Sequence, residues 1–277
     1  MMSERLDSIL GRLAPRFPLL DLQVLLAHVL GRPRAWVLAH PDETLTQEQE
    51  AAFQAALARL EAGVPLPYIL GHWEFYGLDF HLTPDVLIPR PETELLVETA
   101  LHWIQAAPDG QSIQALDVGV GSGCIAIALA VHAPHIQLTA ADLSPAALEV
   151  ARLNAARHHV AERIKFYQAD LLNFPAARFD LIVANLPYIP TSALKKLEIY
   201  GKEPTLALDG GPDGLALIRR LLTSAAAFIA PHGCLLLEIE ASQGKSASLI
   251  AQQCFAHSKI SLLTDLSGRE RLLQIQG

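Results

Sequence analysis

The order of apolar and polar positions divides the chain into a helical part and a longer part in which strands alternate with helices. We interpret residues 1–71 as a small all-helical domain. Within it, apolar residues recur at helical spacing over 19–30. Thr46 and Gln49 form a capping-box pattern ahead of a second clear helix at 51–60. A separate helical module of this kind, beside a catalytic domain, would suit the recognition of a macromolecular substrate.

Residues 72–90 differ from the helical part, because aromatic and apolar residues there surround a glycine, as in a β-hairpin. From about residue 113, short apolar runs alternate with helical segments, which is typical of a mainly parallel sheet covered by helices. The predicted strands are 113–118, 136–141, 164–168, 181–184, 234–239, 260–264 and 271–276, and the clearest helices are 145–157 and 214–229. We therefore predict that 91–277 form a Rossmann-like, doubly wound α/β domain, joined to the helical domain by the hairpin.

Composition agrees with a folded protein, since 51% of the 277 residues are hydrophobic and 18% are charged. The net charge of −8 argues against a general nucleic-acid binder, which normally carries a basic surface. The three cysteines lie far apart without zinc-ligand spacing, so we expect a reducing compartment and no metal site. Residues 1–5 lead into no signal-peptide core, and glycines and a proline interrupt the uncharged stretch 118–141. We expect a cytoplasmic protein without membrane association.

The predicted strand 181–184 opens into the turn Asn185-Leu186-Pro187-Tyr188, which points to a ligand site. In open α/β sheets, ligands bind outside the carboxyl ends of the strands. The Asn185 side-chain carbonyl, the Leu186 backbone carbonyl and the flat faces of Pro187 and Tyr188 could cradle a planar group with an NH2. An amide or a nucleic base would fit this description. A strand that merely stops at an asparagine turn is the alternative for this segment taken alone.

The first predicted strand of the α/β part ends in a loop, 117–123, with glycines at alternate positions, Gly119, Gly121 and Gly123. Such glycines let the backbone turn sharply and approach a ligand closely. The dinucleotide fingerprint fails because Cys124 stands in place of its third glycine, and no Gly-Lys-Ser/Thr follows as a phosphate loop requires. The pattern resembles the S-adenosylmethionine loop of class I methyltransferases, whose ligand carries cationic groups and no pyrophosphate.

Three aspartates stand at the ends of successive predicted strands, Asp117, Asp142 and Asp170. Asp142 is placed to accept the two hydroxyls of a ribose, by the same logic as the acidic residue of dinucleotide sites. Asp170 could accept the amino group of an adenine, with Leu171 packing on the ring. A surface carboxylate or helix cap is the simpler interpretation of each aspartate, but their placement at three successive strand ends favours a ligand site.

A set of segments spread from about Asp21 to Gln276, the glycine loop among them, carries a more specific signal than that loop alone. They are 68–71, 75–77, 86–94, 117–123, 185–188, 203–204 and 207–215. Together they resemble the bacterial release factor glutamine methyltransferase family, which methylates N5 of the glutamine in the Gly-Gly-Gln motif of peptide chain release factors. The architecture of that family, a helical domain joined by a hairpin to a methyltransferase domain, matches the division above.

The resemblance implies S-adenosylmethionine as cofactor, S-adenosylhomocysteine as its product, and peptide chain release factors as substrates. It implies that the helical domain recognises the substrate. The catalytic residues implied are Asn185, Leu186, Pro187 and Tyr188. The cofactor-binding residues implied are Asp117, Gly119, Val120, Gly121, Ser122, Gly123, Asp142, Leu143, Asp170, Leu171 and Asn185. We expect a monomer with no direct nucleic-acid partner.

The chain departs from the family pattern at three positions. Leu186 replaces the first proline of the usual Asn-Pro-Pro-Tyr, while Pro67 and Glu240 stand where glutamine and glycine are common. Asn-Leu-Pro-Tyr is the form found in ribosomal RNA adenine dimethyltransferases. Because the second position is expected to act through its backbone carbonyl, we expect activity to survive this change. The alternatives are an N6-adenine methyltransferase acting on nucleic acid and a non-catalytic cofactor-binding module on the same fold.

Overall fold

The computed structural model describes residues 4–108, 111–175 and 177–277, which divide into two compact units. The first unit ends at Gly71 and the second spans His72–Gly277. Residues 1–3 of the predicted helical domain, and residues 109, 110 and 176 of the predicted α/β domain, lie outside the described residues. Within the described ranges, no helix combines the length and the apolar character needed to cross a membrane.

Within the described residues of the first unit the regular elements are helices, and one isolated bridge pairs Arg5 with Thr44. The helices are α1 (Leu6–Leu13), α2 (Leu19–Leu30), α3 (Arg34–Ala39), α4 (Gln47–Glu61) and α5 (Leu66–Leu70). The predicted capping box is present at the start of α4, where the Gln49 N–H donates to the Thr46 hydroxyl at 3.2 Å and the Thr46 N–H donates to the Gln49 side chain at 3.0 Å. A cap of this kind stabilises a helix by about 1 kcal/mol. Leu22, Leu26 and Phe53 are completely buried in the core of the unit.

The second unit contains a two-stranded hairpin and a seven-stranded sheet among its described residues. The hairpin strands are β1 (His72–Phe75) and β2 (Leu78–His81). The sheet strands are β3 (Gln114–Val118), β4 (Gln137–Asp142), β5 (Ile164–Gln168), β6 (Phe179–Ala184), β7 (Ile229–Glu238), β8 (Lys259–Thr264) and β9 (Glu270–Gln276). The helices are α6 (Glu94–Gln105), α7 (Cys124–His132), α8 (Pro145–Arg157), α9 (Thr191–Leu194), α10 (Ala216–Ala225) and α11 (Gly244–Cys254).

The sheet order is β5-β4-β3-β6-β7-β9-β8, with β9 antiparallel to both of its neighbours and every other pair parallel. The chain builds outward from β3 through β4 to β5 and then returns to the other side of β3 with β6. The strand order therefore reverses between β3 and β6, which is where an open α/β sheet forms a ligand crevice at the carboxyl ends of its strands. Both loops singled out in the sequence leave the sheet at this point, after Val118 and after Ala184.

The predicted fold class is confirmed, whereas some predicted element ends were wrong. Strand β6 begins at Phe179, two residues before the predicted 181–184. Strand β7 begins at Ile229, the last residue of a predicted helix, and α10 ends at Ala225. The reason is tertiary: Phe179 pairs with Ile229 in the parallel ladder, and this pairing extends both strands at their amino ends.

Candidate active site

A cavity of about 390 Å³ opens at the carboxyl ends of β3, β4 and β6. Most of the residues singled out in the sequence line it, namely Gly119, Val120, Gly121, Ser122, Asp142, Leu143, Asp170, Leu171, Asn185, Leu186 and Pro187. Asp117, Gly123 and Tyr188 are not part of the lining. A volume of this size lies within the range of small-molecule pockets.

The glycine loop is held against β4 by its own backbone. The N–H groups of Gly119 and Val120 both donate to the Ala141 carbonyl, at 2.8 and 3.0 Å. Gly123 ends the loop with φ of 86° as the N-cap of α7, and a Cβ there would lie 2.8 Å from Ile127 Cδ1. A side chain at Gly123 would therefore separate the loop from the helices behind it, which explains the need for glycine at a position outside the cavity lining.

Asp117 lies below the loop and is completely buried. Its Oδ2 accepts the Ala126 N–H at 3.1 Å near the start of α7, while Oδ1 has no hydrogen-bond partner among the described residues. Burial raises the pKa of Asp117 to about 7, the Ala126 N–H opposes this rise, and the charge of Asp142 adds to it. Asp117 therefore supports the loop from within the core, through its hydrogen bond to the start of α7.

Asp142, the last residue of β4, joins the glycine loop to the start of α8. Its Oδ2 accepts the Gly121 N–H and its Oδ1 accepts the Ser144 N–H, both at 2.9 Å. Burial raises the pKa of Asp142, and the N–H groups of Gly121 and Ser144 oppose that rise because they stabilise the charged form. A carboxylate oxygen can accept more than one hydrogen bond, so both oxygens keep acceptor capacity for a ligand in the cavity.

Asp170 and Leu171 line the cavity beside Arg220, a residue that the sequence analysis did not single out. Arg220 donates to Asp170 Oδ2 at 2.8 Å from α10, 50 residues away in the chain. Leu171 has φ of 55°, an uncommon left-handed conformation for a residue with a side chain. Residues held in this conformation often lie at ligand sites, where the surrounding structure maintains them.

The turn after β6 is anchored by side chains from distant segments. Asn185 Nδ2 donates to the Thr93 hydroxyl at 3.0 Å. Thr93 therefore binds the NH2 end of the Asn185 amide and not its carbonyl oxygen. The Tyr188 hydroxyl donates to Glu238 Oε1 at 3.4 Å, and the Tyr188 backbone carbonyl accepts from Gln243 Nε2 at 2.9 Å. Burial and the neighbouring Glu238 charge raise the pKa of Tyr188, so the phenol stays protonated at neutral pH.

Leu186, the departure from the usual proline, is buried in the core cluster that includes β6, β7 and α10. A Cβ on Gly119 would lie 3.1 Å from Leu186 Cδ2, so this leucine packs directly under the first glycine of the loop. The leucine side chain therefore packs between the two loops and does not block the cavity.

Two side chains that shape the site, Glu203 and Asn154, were not named as site residues in the sequence analysis. Glu203 is buried, and its carboxylate receives the Ile88 N–H at 3.2 Å and Arg90 at 2.5 Å. Asn154 is fully buried in α8 and donates to the carbonyls of Ser122 and His81. The segment 203–204 was used only as part of the family resemblance, and the contacts of Glu203 show how it acts. A buried polar residue inside a helical pattern was the available signal for Asn154.

Comparison with known proteins shows which families and folds this chain is similar to. Residues 6–71 match the family described as PrmC N-terminal domain, and residues 92–198 match the family described as methyltransferase small domain. The release factor glutamine methyltransferase of Moorella thermoacetica is 42% identical over 92% of this chain and 89% of its own length. That of Bordetella pertussis is 42% identical over 93% of this chain and 94% of its own length. A solved methyltransferase from Pyrococcus furiosus has a TM-score of 0.53 at 15% identity, covers 83% of this chain and 98% of its own, and supports the fold alone.

The seven-stranded sheet and the loops at its strand-order reversal define a Rossmann-like methyltransferase, a class whose methyl donor is S-adenosylmethionine. The chain belongs to the release factor glutamine methyltransferase family, because it is 42% identical to such relatives over more than nine tenths of its length. The family predicted from the sequence is thereby confirmed.

The charged groups around the cavity fit this donor better than a phosphate ligand. Its two arginines, Arg90 and Arg220, are each paired with a carboxylate, Glu203 and Asp170. Asp142 contributes a further carboxylate to the cavity lining. A sulfonium and an ammonium group are cationic, so a site with this balance suits them, and the described part of the cavity lining offers no unpaired arginine to a pyrophosphate.

Proposed function

We propose that this chain transfers the methyl group of S-adenosylmethionine to the side-chain amide N5 of the glutamine in the Gly-Gly-Gln motif of peptide chain release factors. The adjacency of two loops carries the proposal. Val118 and Ala184 are register partners in the parallel ladder, so Gly119 and Asn185 leave the sheet side by side and both line the cavity. An acceptor for a substrate N–H therefore lies next to the loop assigned to the methyl donor.

We assign the donor to the part of the cavity lined by the glycine loop and the acidic strand ends. When bound, S-adenosylmethionine supplies an electrophilic methyl group on a sulfonium centre. Asp142 would accept the ribose hydroxyls with the acceptor capacity left after its bonds to Gly121 and Ser144. Asp170 would accept the adenine amino group with an oxygen not engaged by Arg220, and Leu171 would pack on the ring.

The turn after β6 would hold the amide to be methylated. The Asn185 carbonyl oxygen and the Leu186 backbone carbonyl would accept its two N–H bonds, and Pro187 would pack on its plane. Tyr188, which lies outside the cavity lining, would hold the turn through its hydrogen bond to Glu238. An amide nitrogen is a poor nucleophile because its lone pair is delocalised, so its alignment supplies much of the rate. The same acceptors stabilise positive charge that develops on nitrogen in the transition state. This step needs no strong base.

Neither alternative function is favoured. Relatives that match over most of the chain are release factor glutamine methyltransferases, which favours a protein glutamine over an adenine as the substrate. A non-catalytic module would not require the turn of Asn185 and the glycine loop to line one cavity.

The proposed activity is tested by incubating the protein with S-adenosylmethionine carrying a labelled methyl group. The acceptors are a release factor, the same factor with its Gly-Gly-Gln glutamine replaced by asparagine, and ribosomal RNA. We expect label in the intact factor alone, and mass spectrometry should place it on the glutamine side chain. Label in RNA, or equal label in both forms of the factor, would contradict the proposal.

Replacing Asp142 by alanine is expected to weaken S-adenosylmethionine binding by about 10- to 100-fold. The substitution removes acceptors for the ribose and the two bonds that connect Gly121 and Ser144, and a hydrogen bond to a charged group is worth about 1.5–3 kcal/mol. Isothermal titration calorimetry measures the dissociation constant. The exposed Asp42→Ala variant controls for the loss of one negative charge. Equal affinity in Asp142→Ala and the wild type would remove Asp142 from the donor site.

A further inference from the structure

The Asn185 amide has two ends, and only one of them suits the proposed reaction. Its oxygen accepts a substrate N–H, whereas its NH2 cannot. The structure places Nδ2 on the Thr93 hydroxyl at 3.0 Å, and Thr93 is a buried residue at the start of α6 that also lines the cavity. A hydroxyl can donate as well as accept, so Thr93 by itself does not determine which end of the amide it binds. Which end of the Asn185 amide binds Thr93 therefore depends on which group accepts a hydrogen bond from the Thr93 hydroxyl.

Glu238 is a buried carboxyl group near Thr93, and, within the part of the chain that the structure describes, one of its oxygens is free to accept a hydrogen bond. It is the last residue of β7, and because Leu237 pairs with Ala184, the side chain lies beside the start of the Asn185 turn. Glu238 is 2% exposed, and its Oε1 accepts the Tyr188 hydroxyl, while Oε2 has no hydrogen-bond partner among the described residues. The Thr93 hydroxyl lies close enough to this carboxyl group to lower its pKa, which opposes the rise caused by burial. An ionised carboxylate only accepts hydrogen bonds.

We propose that Thr93 and Glu238 are positioning residues that set the direction of the Asn185 amide. Glu238 takes the Thr93 hydroxyl proton as a hydrogen bond, Thr93 then accepts from Asn185 Nδ2, and the Asn185 oxygen is the end turned toward the target amide. This inference rests on the proposed function, because it concerns how the acceptor for the substrate is oriented. Neither residue is proposed to contact the reacting atoms.

The arrangement makes turnover depend on the ionisation of Glu238. Burial raises its pKa to about 7, and the interactions with Thr93, Tyr188 and Arg271 oppose that rise. The titratable or polar groups that act on it come from four segments, with Thr93 and Glu92 before α6, Tyr188 after β6, Arg271 in β9 and Cys124 at the start of α7. A protonated Glu238 can donate to Thr93, which can then donate to the Asn185 oxygen and turn its NH2 toward the cavity. We therefore expect kcat to fall as the pH decreases through about 7.

The kinetic test replaces Thr93 by valine, which keeps the shape and removes the hydroxyl. We expect kcat to fall by about 10- to 100-fold, with the KM for the release factor and the dissociation constant of S-adenosylmethionine within about threefold of the wild type. Thr93→Ser should restore most of the rate because it restores the hydroxyl. Thr99→Val is the matched control, since its hydroxyl donates to the Leu95 carbonyl one turn back in the same helix. A Thr93→Val enzyme with wild-type kcat would overturn the assignment of Thr93.

The Glu238→Gln variant tests the pH dependence, because glutamine has nearly the same shape and does not titrate. The acidic decline of kcat near pH 7 is expected in the wild type and in Thr99→Val and should be absent in Glu238→Gln. An unchanged decline in Glu238→Gln would overturn the role of Glu238.

A third measurement needs neither donor nor substrate and therefore separates this inference from the proposed function. In protein labelled with 13C at the glutamate carboxyls, the resonance missing from Glu238→Gln identifies Glu238. Its titration midpoint should move to higher pH in Thr93→Val, because a donor that favours the charged form is lost, and should stay in place in Thr99→Val. An identical midpoint in Thr93→Val and the wild type would show that the Thr93 proton does not go to Glu238. If the wild type does not methylate a release factor but the midpoint shifts as expected, the proposed function is contradicted and the link between Thr93 and Glu238 stands.

Discussion

Replacing Asn185 by alanine should reduce methyl transfer by about 10²- to 10³-fold while leaving much of the S-adenosylmethionine affinity intact. The side chain lies at the cavity wall with Nδ2 held by Thr93. Its loss removes one of the two acceptors proposed for the target amide. Removing one preorganised hydrogen-bonding group from an active site costs about 2.7–4 kcal/mol of transition-state stabilisation. The amide would also gain freedom to rotate away from the orientation needed for transfer.

Single-turnover transfer of a labelled methyl group to a release factor measures this effect, and calorimetry measures donor binding separately. The exposed Asn173→Ala is the control, because it removes an asparagine side chain that does not line the cavity. Asn185→Asp is informative as well, since a carboxylate can still accept an N–H, and it should retain more activity than alanine. A wild-type rate in Asn185→Ala would exclude Asn185 from the mechanism.

Replacing Gly210 by alanine should reduce turnover by about 100-fold and lower the melting temperature by several degrees. A Cβ at this position would lie 2.7 Å from the Gly214 oxygen and from Tyr188 Cα, and 2.8 Å from the Pro187 oxygen. All three are backbone atoms, so no flexible side chain can move away to relieve the contact. Either the 185–188 turn or the 210–214 loop must shift, and a displacement of about 1 Å can cost about 100-fold in rate.

The glycine at 210 has an ordinary backbone conformation, so this substitution tests steric contact without the added strain of positive φ. Gly11→Ala is the control, because Gly11 lies within α1 and a Cβ there has no heavy atom within 4 Å. It should leave turnover unchanged and stabilise the helix by up to about 1 kcal/mol. Circular dichroism melting and the labelled transfer assay test both variants. Wild-type turnover together with a wild-type melting temperature in Gly210→Ala would show that the close packing against the turn is unimportant.

The packing around Gly210 also gives a physical reason for a segment that the sequence analysis used only as part of a resemblance. The Gly210 N–H donates to the Ile189 carbonyl at 2.8 Å, and Gln243 donates to the carbonyls of both Tyr188 and Gly214. Residues 207–215 thus form a support for the turn after β6. Glu240, which departs from the usual glycine, has φ of −72° and caps the short helix that contains Gln243, so the backbone there does not require glycine.

Local patterns predicted much of this protein. The alternation of apolar runs and helical segments predicted a mainly parallel α/β sheet, because burial on both faces leaves a characteristic apolar run in each strand. The Thr46 and Gln49 capping box was predicted because its two hydrogen bonds join residues only three positions apart. The glycine loop and the turn at Asn185 were predicted to be functional because each follows a strand, and strand ends lie at a ligand crevice.

The tertiary structure decided how these pieces act together. Asn185 and Thr93 are 92 residues apart, Tyr188 and Glu238 are 50 apart, and Asp170 and Arg220 are also 50 apart. Sequence periodicity describes burial within one element and contains no information about which distant side chain meets another. The sequence alone therefore determined the class of fold, and it predicted the two loops and the chemistry proposed for them. Which end of the Asn185 amide faces the cavity depends on hydrogen bonds that exist only after β6, β7 and the segment before α6 have come together.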